Sequence, residues 1–310
     1  MRELIFLQPV FKQMLWGGSR LGTEYGYPIP GDHTGEAWVV SAHKNGDCPI
    51  KNGSFQGKTL GWLWENHPEL FGNTGQEVFP LLVKIIDARD DLSIQVHPDD
   101  AYAREHENGS LGKTECWYIL DCDPDATIVV GHNAGTKDEL CRMIDEKRWM
   151  DLIKIRPIKK GDFFQIEPGT VHAIRKGTLI LETQQNSDIT YRLYDYDRLQ
   201  DGKPRELHLQ KSKDVIRCPH TDAATGTETV QGEGFTRRTL ITCPLYQVDK
   251  WDVTGSAVLS QDHPFLIVDV LEGEGRADGH PIRKGDHFLL PWGYGDCLIE
   301  GNVSLITSHT

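Results

Sequence analysis

Two short alternating stretches carry side chains that can hold a divalent cation or work beside one. In residues 91–97 (DLSIQVH), Ser93, Gln95 and His97 alternate with Leu92, Ile94 and Val96. That is the period of a strand with one polar and one apolar face. In residues 113–118 (KTECWY), Lys113, Glu115 and Trp117 alternate in the same way with Thr114, Cys116 and Tyr118. Gln95 and His97 therefore share a face, as do Lys113 and Glu115, while Cys116 points away from its neighbour Glu115. If the two strands face one cavity, an amide oxygen, an imidazole, a carboxylate and an ammonium converge there. The first three suit a borderline metal such as zinc.

A further ligand follows in residues 168–172 (PGTVH), where His172 comes just after a tight turn. With Gly161 eight residues before Gly169, this stretch resembles the second motif of the cupin superfamily, G-x5-P-x-G-x2-H. It departs at Glu167, which takes the usual proline position, while His172 stays in register with the motif's metal ligand. Gln95, His97, Glu115 and His172 make two imidazoles, one carboxylate and one amide oxygen. They leave a divalent ion a net charge of about +1 and room for water or substrate, the open arrangement of a catalytic metal.

Longer matches make the resemblance more specific. LSIQVHPDD, GKTECWYIL, PGTVHAI, ETQQNSDITYRLYDYDR and, near the N-terminus, WGG and GEAWVVSAH are similar to the type I mannose-6-phosphate isomerases of the shorter bacterial kind, over nearly the whole chain. The resemblance implies interconversion of mannose 6-phosphate and fructose 6-phosphate with one zinc ion per chain. It places Gln95, His97, Glu115 and His172 on the family's metal ligands. Lys113, Glu182 and Arg192 fall on its active-site polar residues, and Ser93 on a position near the substrate phosphate.

Such a reaction moves a proton between C1 and C2 through an enediolate. It needs a base that removes and returns the proton, and positive charge where the oxyanion develops. Arg192 supplies charge but cannot be the base, because it stays protonated. Lys113 and Glu182 are the two candidates, and Lys113 is preferred, with its pKa lowered by the nearby metal and Arg192, over Glu182, which is already ionised at neutral pH. The competing readings are a cupin carbohydrate-binding or sensor protein without turnover and a metal-dependent oxygenase. The first predicts loss of Lys113, Glu182 or Arg192, and all three are present. The second wants a His-rich facial set, which a Gln ligand and the lack of a clear H-x-H do not provide.

The elements that must position these residues are mostly short strands with Gly/Pro turns. They read as a mainly β chain of two cupin-like (jelly-roll) barrels, with a few helices inserted in the N-terminal half. Strands are expected at 4–7, 37–42, 79–86, 127–130, 161–166, 177–182 and 190–194. A helix is expected at 58–71, interrupted at Pro68. Another spans 99–107 behind an N-cap at Asp99 or Asp100, and a third runs from the Thr136-x-x-Glu139 capping box to about residue 153. The small polar stretch 221–234 reads as a linker between a catalytic unit, 1–220, and a C-terminal degenerate barrel, 235–310. An internal repeat joins the two: residues 160–164 (KGDFF) correspond to 284–288 (KGDHF), with Gly169 matching Gly293. The same offset carries His172 onto Asp296, so only the first copy keeps its imidazole. His132, His208, His263 and His287 receive no role.

Composition sets the outer bounds. The 310 residues suffice for about two domains. A net charge of −13 argues against nucleic acid and anionic membrane as partners. No apolar run reaches the roughly 18 residues of a membrane span, and the first residues show no signal peptide. Seven cysteines with no CxxC pair fit a reduced, cytoplasmic compartment. Sequence leaves the oligomeric state open.

Overall fold

A computed structural model describes residues 2–200, 202–226 and 228–310. The chain is mainly β, and its strands lie in three principal antiparallel sheets. The first has five strands in the order Tyr191–Tyr194, Ile94–Val96, His172–Ile174, Thr127–His132 and Ile153–Pro157. The second has six, Val10–Gly18, Thr34–Val40, Leu81–Ala88, Thr178–Gln185, Glu115–Cys122 and Phe163–Ile166. The third is C-terminal and built around the long strands Phe265–Ala277 and Gly295–His309. It also takes in the N-terminal strand Ile5–Phe6, which pairs with His287–Pro291.

Strand periodicity decides what faces what. On the six-stranded sheet Ile86, Ala88, Trp117, Ile119 and Ile180 point one way and pack with Ile128, Val130 and Ile174 of the five-stranded sheet. Their chain neighbours Val83, Ile85, Cys116, Leu179 and Leu181 point the other way. These meet Val248, Ile267, Leu271, Leu289 and Ile306 of the C-terminal sheet. The outer face of the five-stranded sheet, with Ile94, Val96, Val129, Ala173 and Leu193, is covered by Leu140 and Ile144 of the helix Lys137–Asp145 and by Trp149 and Leu152 of the helix Trp149–Leu152. Alternate residues of Phe265–Ala277 (Leu266, Val268 and Val270) fill a separate core within the C-terminal half. The central strands Thr34–Val40, Leu81–Ala88 and Thr178–Gln185 are thus buried on both faces, and Glu36, Lys84 and Glu182 lie on the face turned toward the five-stranded sheet.

Most of the expected elements form. Thr59 caps the helix Leu60–Asn66, and the chain turns into a short 3-10 helix at Pro68. Asp99 caps Asp100–His106 by accepting from the Tyr102 amide. Thr136 caps the next helix, but Glu139 reaches back to the amide of Gly135 instead of Thr136. That helix differs from expectation in length. It stops at Asp145, Lys147 takes a left-handed φ of 56°, and a separate turn of helix resumes at Trp149. The break lets Trp149 and Leu152 join the core of the five-stranded sheet.

Within the stretch read as a linker, Thr229–Gly232 forms a strand paired with Phe235–Thr242; Thr227 lies outside the described residues.

The sequence repeat is also a structural one. Gly161 and Gly285 both have φ of 86°, a conformation that suits glycine. Asp162 accepts from the Lys159 amide and Asp286 from the Arg283 amide, each at 2.9 Å. Each glycine amide then docks on a neighbouring strand, Gly161 on the Ile119 carbonyl and Gly285 on that of Val270.

Candidate metal centre and substrate cavity

The site is built between the five- and six-stranded sheets. Gln95 stands opposite His172 in one ladder and opposite Arg192 in the next, so the three side chains emerge in a row on one face. From the facing sheet come Glu115 and, in register across three strands, Lys84, Glu182 and Trp117. His97 follows the end of its strand, where Gly169 donates to its carbonyl and ties the PGTVH turn to it.

His97, Glu115 and His172 are fully buried, and among the described residues they form a group whose ligand atoms all lie within 4.8 Å of one another. The two Nε2 atoms are 3.1 Å apart, and each lies 3.4 Å from an oxygen of Glu115. The Gln95 amide is 3.3 Å from His172 Nε2. Rotation about its last bond exchanges nitrogen for oxygen, so it too can offer an oxygen to the same point.

These donors fit a divalent cation. His172 donates Nδ1–H to the Thr170 carbonyl at 2.8 Å, which leaves the Nε2 lone pair facing inward, the usual support for a ligating histidine. Burial, and then the Lys113 ammonium, push His97 down to about 3, and burial lowers His172 as well, so both imidazoles are neutral. Burial alone would raise Glu115, yet the Lys113 charge outweighs it and holds the carboxylate well below its ordinary range. Neither Glu115 oxygen accepts a well-aligned hydrogen bond, although Lys113 Nζ lies 2.7 Å from Oε2. A buried carboxylate with idle lone pairs beside two neutral imidazoles is a cation site by its chemistry. Lys113 also contacts His97 Nε2, at 3.1 Å.

Above this group opens a cavity of about 440 Å³ lined by Ser93, Gln95, Lys113, Glu182 and Arg192. Every candidate of the sequence therefore lies in or directly under one cavity. Ser93 contacts the Gln95 amide at 3.3 Å. Glu182 accepts from Trp117 Nε1 at 2.9 Å, and burial followed by the Glu115 charge raises it above the usual carboxylate range. Arg192 donates from Nη1 to the Glu206 carbonyl, while its Nε has no partner among the described residues.

The cavity also holds residues that sequence reasoning left out. Lys84 is buried, 3.2 Å from Glu182 and 4.0 Å from Glu36. Glu36 in turn accepts from Trp38 Nε1 at 2.6 Å. A signal was present: a lysine inside the apolar run FPLLVKII must find partners if the strand is buried. Glu36 and Trp38 belong to Thr34–Val40, a strand buried throughout. Lys12, Arg205 and His208 add further nitrogen donors to the wall.

A mainly β chain with a buried His–Glu–His group under a cation-lined cavity is the architecture of a metal-binding cupin enzyme. Residues 4–123 match the phosphomannose isomerase type I catalytic domain, and residues 236–310 match the mannose-6-phosphate isomerase cupin domain. The chain is 52% identical to mannose-6-phosphate isomerase ManA of Bacillus subtilis over 99% of both chains. It is 47% identical to a mannose-6-phosphate isomerase of Streptococcus mutans, over 100% of this chain and 99% of the other. Its backbone matches the crystal structure of the Bacillus subtilis mannose 6-phosphate isomerase with a TM-score of 0.96 at 48% identity, over 99% of both chains. The Salmonella typhimurium enzyme shares the fold at 16% identity and a TM-score of 0.77. The chain belongs to the mannose-6-phosphate isomerase family.

Proposed function

We propose that this chain interconverts mannose 6-phosphate and fructose 6-phosphate through an enediolate, with one zinc ion held by Gln95, His97, Glu115 and His172. The observation that carries this reading is the convergence of His97, Glu115 and His172 beneath a cavity lined by Lys84, Lys113, Arg192 and Arg205. When bound there, the ion would supply positive charge to the developing oxyanion. Arg192 adds a permanent cation from the strand beside Gln95, while Ser93 and Arg205 meet the phosphate, which a chain of net charge −13 can receive only at a local cluster of cations.

Of the two candidate bases, the geometry favours Glu182. Lys113 spends its charge on Glu115 and His97. Glu182 Oε1 lies 3.2 Å from the Lys84 ammonium, and burial with the Glu115 charge still raises the group toward the range where a carboxylate both takes and returns a proton. Lys113 then fixes the ligand carboxylate.

The repeated KGD turns support reading the two halves as related cupin-like (jelly-roll) barrels. The catalytic unit is 1–220 and the C-terminal unit 235–310, joined through 221–234. The seven free cysteines suit a cytoplasmic setting, and among the described residues no helix is long and apolar enough to cross a membrane.

A coupled assay with fructose 6-phosphate, read beside metal analysis of the same preparation, tests the function. Stoichiometric metal with no turnover would favour the carbohydrate-sensor reading. Glu182→Gln that still exchanges the C2 proton with solvent deuterium would return the base to Lys113.

A further inference from the structure

Two loops 143 residues apart meet across the mouth of the cavity. Asn45 and Asp188 both line it, and Asn45 Nδ2 donates to Asp188 Oδ2 at 2.6 Å. His43 Nε2 lies 3.7 Å from the other oxygen. Both ends of the bond are exposed, so water competes for them.

The two loops are held differently. Asp188 sits between Thr178–Gln185 and Tyr191–Tyr194 on a loop anchored at three points. The Asn186 amide donates to the Pro80 carbonyl, Ser187 Oγ to that of Leu111, and Gln184 Nε2 to that of Ser187. The turn at residues 43–46 closes on itself, through Gly46 N–H to the His43 carbonyl and Asn45 N–H to His43 Nδ1. Its first amide, His43 N–H, donates to the buried Ser41 hydroxyl at 3.1 Å, and beyond that it rests on cavity residues. Lys12 Nζ donates to the Asn45 carbonyl. Gly46 lies so close to the Trp38 indole that an added Cβ would come within 2.7 Å of it, and His43 packs edge-on against the same ring.

We propose that the Asn45–Asp188 bond is a strap over the substrate, with the turn at 43–46 as the moving jaw and Asp188 as the fixed one. The inference rests on the isomerase reading of the cavity beneath it. When the strap is made, the turn holds Lys12 and Trp38 against the cavity and shields the bound sugar from water during proton transfer. When it breaks, the turn swings off Trp38 and product leaves. A single exposed hydrogen bond suits this cycle, because its net worth against water is small enough for both states to be populated. Asn45 and Asp188 are positioning residues, since the strap acts through Lys12, Trp38 and the start of the strand bearing Arg192.

The test is an exchange of partners. Asn45→Asp sets two carboxylates face to face, and Asn45→Asp/Asp188→Asn restores one donor and one acceptor with the polarity reversed. Two readouts are taken on the metal-loaded enzyme: amide hydrogen exchange at Gly46, and kcat and KM for fructose 6-phosphate. Asn45→Asp is expected to speed exchange at Gly46 and to raise KM by about three- to tenfold, the scale of one net hydrogen bond. The double variant is expected to return both toward wild type. A double variant as impaired as Asn45→Asp, or an Asn45→Asp enzyme that matches wild type in both readouts, overturns the strap. Wild-type protein without isomerase activity would instead sink the functional reading, while the exchange measurement, which needs no turnover, still decides the strap.

Discussion

Lys84 and Glu182 stand opposite each other in antiparallel register, and their charged ends meet at 3.2 Å with both side chains buried. Burial alone would lower the lysine, yet Glu36 and Glu182 outweigh it and hold the ammonium above its ordinary value. Lys84→Met would leave two buried carboxylates without their cation. It is expected to lower the unfolding free energy by about 3–5 kcal/mol, the cost of breaking a buried pair from one side. Urea denaturation of the two proteins measures this; a loss below about 1 kcal/mol would mean that the carboxylates find water or another cation instead.

Chelation is expected to abolish isomerase activity and zinc to restore it, because His97, Glu115 and His172 leave their lone pairs to a cation. His97→Ala should lose most of the bound metal, since the remaining donors leave its coordination underfilled. Metal analysis beside the coupled assay checks both, and full activity in metal-free protein would refute the assignment.

Arg192→Ala is expected to lower kcat by about a hundredfold or more, the scale for removing one stabiliser of developing negative charge. Metal content should be unchanged, because a guanidinium cannot ligate a cation. A variant with wild-type kcat and only a raised KM would reassign Arg192 to binding that ground state and transition state share equally.

How much of this was legible in the sequence follows from strand geometry. Gln95, His97 and Glu115 could be read because alternation fixes which side chains share a face, His172 because the PGTVH turn resembles a known ligand motif, and the sheets then place them together. Lys84 was not read because a central strand buried on both faces looks like a continuous apolar run, and only register shows that its one lysine lies across from Glu182. The helix break at Lys147 had no glycine or proline to announce it; packing of Trp149 and Leu152 into the core of the five-stranded sheet overrides local propensity there. The Asn45–Asp188 contact joins loops 143 residues apart, and nothing local in either loop encodes it.

Acid stability should depend on Asp195. Burial would raise this carboxylate, but hydrogen bonds from Arg205 and Arg198 at 2.6–2.7 Å outweigh it and hold it below its ordinary value. A carboxylate that titrates lower folded than unfolded adds stability above its unfolded value of about 3.9. That stability is lost as the pH falls through the folded value. Asp195→Asn is therefore expected to be less stable than wild type at neutral pH, with the difference shrinking below about pH 4. Thermal unfolding between pH 2.5 and 7 tests it; a stability gap that stays constant across this range would exclude the linkage.

One metal ion per chain is expected, held in the N-terminal half. The KGD turns put the two halves in correspondence, since Gly161 docks on Ile119 and Gly285 on Val270. Counting back four residues from each partner places Glu115 opposite Leu266, a buried apolar side chain. Counting forward from the glycines places His172 opposite Asp296, which is exposed and accepts a hydrogen bond from Ser260 Oγ at 2.9 Å. The imidazole and the carboxylate are both gone from the second core, which Val268, Val270, Leu305 and Trp251 fill instead. A lone surface carboxylate cannot assemble the three or four donors of a tight zinc site. Quantitative metal analysis of purified protein should give close to one ion per chain. A value close to two, falling to one in Asp296→Ala, would show that the C-terminal half has kept a site of its own.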